Sequence, residues 1–170
     1  DNMYAKRLKA YKQIGYELAC GLQIGKQTVN AIYDWDNYST YYHKDLLGAN
    51  NNIIISSPVI SGPKVYDLIN LLKEKQMSGV QITIVTWAPD SYRFGDAAYW
   101  MQLHEDMRQA GFYIKTVEES CERFAVIDQE VVWYGNINLL AKDKVDDSIM
   151  RVLSKEIASE LMEITFGDNG

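Results

Sequence analysis

The chain has 170 residues, 47% of them hydrophobic and 24% charged, which suits one compact domain around a single core. Its formal net charge of −6 argues against a surface coated in phosphate-binding lysines, because nonspecific nucleic-acid affinity scales with the number of phosphates neutralised. No apolar run is long enough to span a bilayer and no secretory pattern opens the chain, so a cytoplasmic protein without a membrane partner is expected. The first residue is Asp1 rather than Met, and the sequence is expected to be a piece of a longer polypeptide. Cys20 and Cys121 stand in no ligand spacing, and only His43 and His104 accompany them. That set is too small for a disulfide framework or a zinc site, so reduced thiols and no metal or other cofactor are expected.

Residues 3 to 23 place Leu8, Tyr11, Ile14, Leu18 and Leu22 at near-helical spacing, with a break expected among Gly21 and Gly25. Lys6, Arg7, Lys9 and Lys12 form a basic strip there, read first as a solvated helix face. A second helix is expected over 26–34, and a third, YYHKDLLGA, capped by Ser39 or Thr40 and ended near Gly48. From Asn51 the pattern changes: NNIIISSP reads as a strand buried on both faces. Pro63 opens a helix with Val65, Leu68, Ile69 and Leu72 on one stripe and Gly79 beyond its end. VQITIVTW is a second strand, APDSYRFG a loop, and DAAYWMQLHEDMRQAG a helix closed by glycine. FYIKTV, FAVID, VVWYG and DSIMRVL follow as strands, with a tight turn at Asp128–Gln129–Glu130, and KEIASELMEITF is the last helix. Strand–helix alternation followed by a hairpin predicts an α/β domain over 51–170, a mixed sheet flanked by helices on both faces, with a helical N-terminal extension over 1–50.

The chemistry-bearing stretch is CERFAVIDQEVVWYGNIN, residues 121–138. If it is extended from its start, Cys121 and Arg123 share a direction while Phe124 and Val126 face the core. Asn136 and Asn138, two apart, would join them where the hairpin closes, near Asp128. A nucleophile-type residue, a fixed cation and two amide donors suit an anion with several oxygens, such as a phosphodiester.

This layout resembles the phospholipase D-like superfamily, whose motif is H-x-K-x4-D followed by G-[SG]-x-N. Here the matching positions are Cys121, Arg123 and Asp128, then Gly135-Asn136-Ile137-Asn138. IIISSPVIS, SGVQITIVT, AGFYIK and DDSIMRVLSKEIASEL agree in order, so the resemblance covers about residues 45 to 165. It looks similar to the single-motif domains attached to bacterial DEAD/DEAH-box helicases and related nucleic-acid enzymes. The resemblance implies an α-β-α sandwich and a site in which a histidine attacks phosphorus, a second histidine protonates the leaving oxygen, and lysine, serine and asparagine hold the phosphate. With one motif copy per chain, it also implies a homodimer with a composite site on the twofold axis.

Three positions depart from the motif. Arg123 keeps the cation and adds bidentate geometry, and Asn136 still donates hydrogen bonds. Cys121 replaces the nucleophile; a symmetric dimer would then offer a second thiol as general acid, and the missing acid alone costs about 10²–10⁴-fold in rate. The leading expectation is a degenerate domain that binds DNA, RNA or another phosphodiester through Arg123, Asn136 and Asn138 inside a larger nucleic-acid-processing protein. The alternatives are a metal-independent nuclease using Cys121, with Arg123 and Asp128 as its motif partners, or a pure dimerisation and interaction module.

Plainer readings stand beside these. Cys121 is by default a small buried hydrophobe, Asp128 a turn-holding carboxylate, and Asn136 and Asn138 turn residues. Trp133 and Tyr134 read as sheet packing rather than a base-stacking platform. His43-Lys44-Asp45 is contiguous and helical, so its likeness to the motif letters is coincidence. His104 reads as a surface or packed histidine, and GLQIGKQT lacks the spacing of a phosphate loop.

Overall fold

The computed structural model describes residues 31–91 and 96–167. The helix expected over 3–23, the Lys6 to Lys12 strip, Cys20 and GLQIGKQT lie outside those residues. Runs of β-branched residues become strands and amphipathic runs become helices, in the order β1 (Ala31–Asp34), α1 (Tyr38–Leu47), β2 (Asn52–Ser56), α2 (Gly62–Met77), β3 (Gln81–Trp87) and α3 (Ala97–Gln109). Then come β4 (Tyr113–Val117), β5 (Phe124–Ile127), β6 (Val131–Gly135), β7 (Ser148–Leu153) and α4 (Lys155–Phe166).

The strands form one seven-stranded sheet in the order β1-β7-β6-β5-β2-β3-β4. β2, β3 and β4 are parallel, joined by α2 and α3, whereas β5, β6, β7 and β1 pair antiparallel. Short connections suffice for the antiparallel half, while each parallel step requires a helical crossover. This is the mixed sheet expected from the element order.

The sheet is covered on both faces. Tyr42 and Leu46 of α1, Val65 and Leu72 of α2, and Leu103 and Met107 of α3 pack with Ile53, Ile55 and Trp133 in one cluster. Ile157, Ala158 and Leu161 of α4 pack with Ile54, Phe124, Val126 and Val152 in the other. A fully buried side chain of this size contributes about 1.5–3 kcal/mol, so β2, whose Ile53 and Ile55 face one cluster and Ile54 the other, fixes the sheet between its two helix layers.

Two boundaries differ from expectation. Ala31–Asp34, expected to end a helix, is an edge strand on β7, with Tyr33 8% and Ile32 64% exposed; that two-residue alternation satisfies a sheet edge and not a helix. The described part of the expected extension, residues 31–50, is therefore built into the α/β unit. The cap of α1 also moves, from Ser39 or Thr40 to Asn37, whose Oδ1 accepts from the Asp34 backbone N–H at 3.0 Å. Asp45 of α1 ties that helix down: its carboxylate accepts from Trp133 Nε1 at 2.8 Å and from Arg151 Nε at 2.6 Å and Nη2 at 3.0 Å.

Candidate functional site

β5 and β6 make a hairpin, and its two ends carry different parts of the motif. At the closed end, a three-residue loop joins the paired Ile127 and Val131; Asp128 and Gln129 have φ of 54° and 58°, left-handed values at the centre of a turn that the Glu130 N–H closes on the Ile127 carbonyl at 3.1 Å. The Asp128 carboxylate accepts from three successive backbone N–H groups, those of Asn50, Asn51 and Asn52, at 2.7–3.1 Å. It holds the chain as it enters β2.

The site expected where the hairpin closes is instead at its open mouth. Antiparallel pairing brings residues before β5 beside those after β6, so Arg123 meets Asn138 there, about 16 Å of extended chain from Asp128. Asp128 is thus not brought together with Arg123 and the two asparagines. Gly135 ends β6 where β7 passes closely: any Cβ at this position would strike the Ser148 carbonyl oxygen and Ile149 Cα. The backbone of Asn136 then donates to that Ser148 carbonyl at 2.9 Å, and the chain turns across the mouth.

Arg123 is half-buried, and its Nε donates to Asn138 Oδ1 at 2.9 Å. Among the described residues its terminal nitrogens make no hydrogen bond. Asn138 is buried, at 7% exposure, whereas Asn136 is exposed. The two amides therefore take separate roles, one positioning the guanidinium and one at the rim.

Cys121 is buried, whereas Arg123 is half-buried and bonded to Asn138. Residues 120–123 precede the first cross-strand pair of β5, so nothing imposes strand alternation on them. The thiol turns into the cluster that holds Phe124, Val126, Val132 and Tyr134. Its Sγ lies 3.4 Å from Ser56 Oγ, 3.8 Å from the Glu122 carbonyl and 4.0 Å from the Val85 carbonyl. Ser56 commits its own proton to the Glu122 carbonyl at 2.6 Å, which makes the thiol the donor to Ser56 Oγ. Burial pushes the thiol pKa up; the Ser56 contact and the Arg123 charge oppose this by less, and Glu122 adds to it. A thiol raised above its ordinary range stays in the protonated form at pH 7.

Sequence reasoning missed the residues that shape the mouth. Ser57 is fully buried; its Oγ donates to the Val59 carbonyl at 2.7 Å and accepts from the Leu140 N–H at 3.2 Å, pinning the segment after Asn138 to the end of β2. Tyr134 donates to Glu122 Oε1 at 2.8 Å, which fixes a carboxylate next to the cation in sequence. The Ser-Pro ending of β2 was the available signal for Ser57. Trp133 is packing, fully buried with its N–H on Asp45, and Asp45 itself serves the sheet and not a motif. Among the described residues, no group of three or more His, Cys, Asp or Glu side chains is arranged to hold a metal ion. No described helix is long and apolar enough to cross a membrane.

A seven-stranded mixed sheet between helix layers, with its cation and amides beyond the β5–β6 hairpin, is the architecture of a phospholipase D-like domain. The family model described as cardiolipin synthase, phospholipase D-like domain, matches residues 42–165, and the chain belongs to this family. Its fold is similar to that of NucT from Helicobacter pylori, with a TM-score of 0.61 at 9% identity over 82% of this chain and 94% of that one. It is similar to Nuc from Salmonella typhimurium, a phospholipase D family member, with a TM-score of 0.58 at 14% identity over 81% and 90%. It is also similar to TrmBL2, an archaeal chromatin protein described with a novel mode of DNA binding, with a TM-score of 0.57 at 13% identity over 96% of this chain and 62% of that one. At these identities the likeness is one of fold. No curated protein matches the chain in sequence.

Proposed function

We propose that this domain binds the phosphodiester backbone of nucleic acid without cleaving it, as a degenerate phospholipase D-like module of a larger DNA- or RNA-processing protein. The observation that carries the reading is the burial of the thiol in an apolar cluster while the cation is half-buried and held by Asn138. Arg123 is fixed through Nε by Asn138, leaving its terminal nitrogens to grip a phosphate in bidentate fashion, and the exposed Asn136 amide is at the same mouth. Cys121, in the nucleophile's position, is buried in an apolar cluster and keeps its proton. Attack on phosphorus needs a thiolate facing the bound phosphate and a separate acid for the leaving oxygen; the motif positions of this chain provide neither. The DNA-binding mode named for TrmBL2 supports nucleic acid as the ligand. Pairing of two chains about the motif, as in a homodimer, and attachment to a helicase extend the same reading.

The test is one incubation in EDTA with labelled single- and double-stranded DNA and a chromogenic phosphodiester. The reading predicts salt-dependent DNA binding with intact strands and no chromophore release. Turnover that disappears in Cys121→Ala would replace it with the cysteine-nuclease alternative, and no binding at any salt would leave an interaction module.

A further inference from the structure

The parallel end of the sheet is held more lightly than its centre. β4 is the edge strand there, and none of its five residues is buried. α3 packs against β4, α2 and the turn Pro89–Ser91. It buries two apolar side chains, Leu103 and Met107, with His104 between them. In β2, by contrast, Ile53, Ile54 and Ile55 are all buried, between both helix layers. Regions with few buried apolar contacts are the ones that open locally before the whole fold does.

His104 is 1% exposed, and both of its ring nitrogens are buried without a hydrogen-bond partner. Leaving a neutral imidazole so placed is costly, and a charged one would cost more. The described charges around it do not relieve that cost. On α3 itself, Glu105 accepts from the Gln109 amide at 3.4 Å, and Asp106 accepts from the Gln102 amide and from the Tyr66 hydroxyl of α2. The turn Pro89–Ser91 brings Asp90, which is exposed, and β4 packs Ile114, which does not titrate, into the same core. Burial, and then the charge of Arg108 one helical turn on, hold the ring's pKa below its ordinary value; no carboxylate draws it up.

We infer that His104 is an acid-operated latch, whose protonation releases α3 and β4 from the edge of the sheet while the rest of the sheet stays folded. Neither nitrogen reaches solvent with α3 in place, so taking up the proton and undocking the helix go together. The released ring regains the ordinary imidazole value of about 6.5, and the docked ring lies below it. Docking is therefore at full strength above that pH and is lost as pH falls from there through the docked value. One proton changes the docking equilibrium by at most about tenfold per pH unit in that window. The open form uncovers Leu103, Met107 and the edge of β3, which turns a change of charge into an exposed apolar strand edge. Arg123 and its asparagines lie in the antiparallel half, so the latch does not rest on phosphate binding.

The experiment is amide hydrogen exchange on the whole chain at about pH 7 and about pH 5.5, corrected for the intrinsic pH dependence of exchange. Protection is read separately for α3 with β4 and for β2 with β5. Between the two conditions, protection of α3 and β4 should fall about five- to tenfold, with β2 and β5 unchanged. The chain has two histidines, and His43, exposed on α1, also has a lowered pKa; His43→Gln should leave the response intact. His104→Leu should abolish the response and protect α3 more strongly than the wild type at both pH values. His104→Gln, uncharged throughout, should abolish it as well and provides the check if His104→Leu fails to fold. Protection of α3 that is unchanged in the wild type at the lower pH would overturn the inference. So would an equal loss across the whole sheet, or a response that persists in His104→Leu or His104→Gln.

Discussion

The two ends of the β5–β6 hairpin carry motif residues in opposite conditions. At the closed end, the Asp128 carboxylate is satisfied by three backbone N–H groups and holds the entry to β2. At the open end, Arg123 has one hydrogen bond through Nε and keeps its terminal nitrogens, beside an exposed asparagine. A group whose capacity is used up within the fold stabilises it; a group fixed at one point with donors to spare can receive a ligand. Letters that form one motif in the sequence therefore do two jobs in the protein.

That contrast is sharpened by breaking each end separately. Asp128→Ala leaves three N–H groups at the start of β2 to water and removes a residue that tolerates positive φ; it should lower stability by about 2 kcal/mol in chemical denaturation. Its DNA affinity should equal that of the wild type. At the open end, Arg123→Lys keeps the charge and loses the planar fork held by Asn138, and should weaken DNA binding about threefold in a fluorescence titration, with stability nearly unchanged. Cys121→Ala removes a small buried group and should cost about 1 kcal/mol or less, with DNA binding unaltered.

The thiol also gives a pH signature. Its folded pKa is raised by burial, so its stabilising effect is fully present below the unfolded thiol value of about 8.5 and is lost as pH rises from there through the folded value. The stability of the wild type should therefore fall more steeply above this pH than that of Cys121→Ala. Alkylation of the native thiol should likewise be slow at neutral pH and rise only in alkaline solution. Rapid alkylation at pH 7 would place a thiolate at the surface and erase the contrast.

Most of the fold was legible because apolar runs, helical stripes and the glycines closing α2 and α3 agree with one another. Gly79 and Gly111 take φ of 105° and 91°, values that local sequence can anticipate. β1 was not legible: four residues with a single inward Tyr33 become a strand only by pairing with β7, more than a hundred residues later. The motif spacing located Arg123 and Asn138, whose meeting follows from hairpin pairing. The direction of Cys121 was not legible, because alternation holds only where cross-strand pairs enforce the pleat, and those begin at Phe124. The burial of His104 had a weak signal in its place between Leu103 and Met107, but that its nitrogens have no hydrogen-bond partner among the described residues is a tertiary fact.

The most direct measurement is the slope of the logarithm of single-stranded DNA affinity against the logarithm of salt concentration, for the wild type, Arg123→Ala and Asp128→Ala. A guanidinium that neutralises one phosphate contributes about 0.7 to that slope on a single strand. The account predicts that Arg123→Ala flattens the slope by about this amount and weakens binding about tenfold, while Asp128→Ala reproduces the wild-type line. Identical lines for the wild type and Arg123→Ala, or strands cut during the titration by a reaction that requires Cys121, would contradict it.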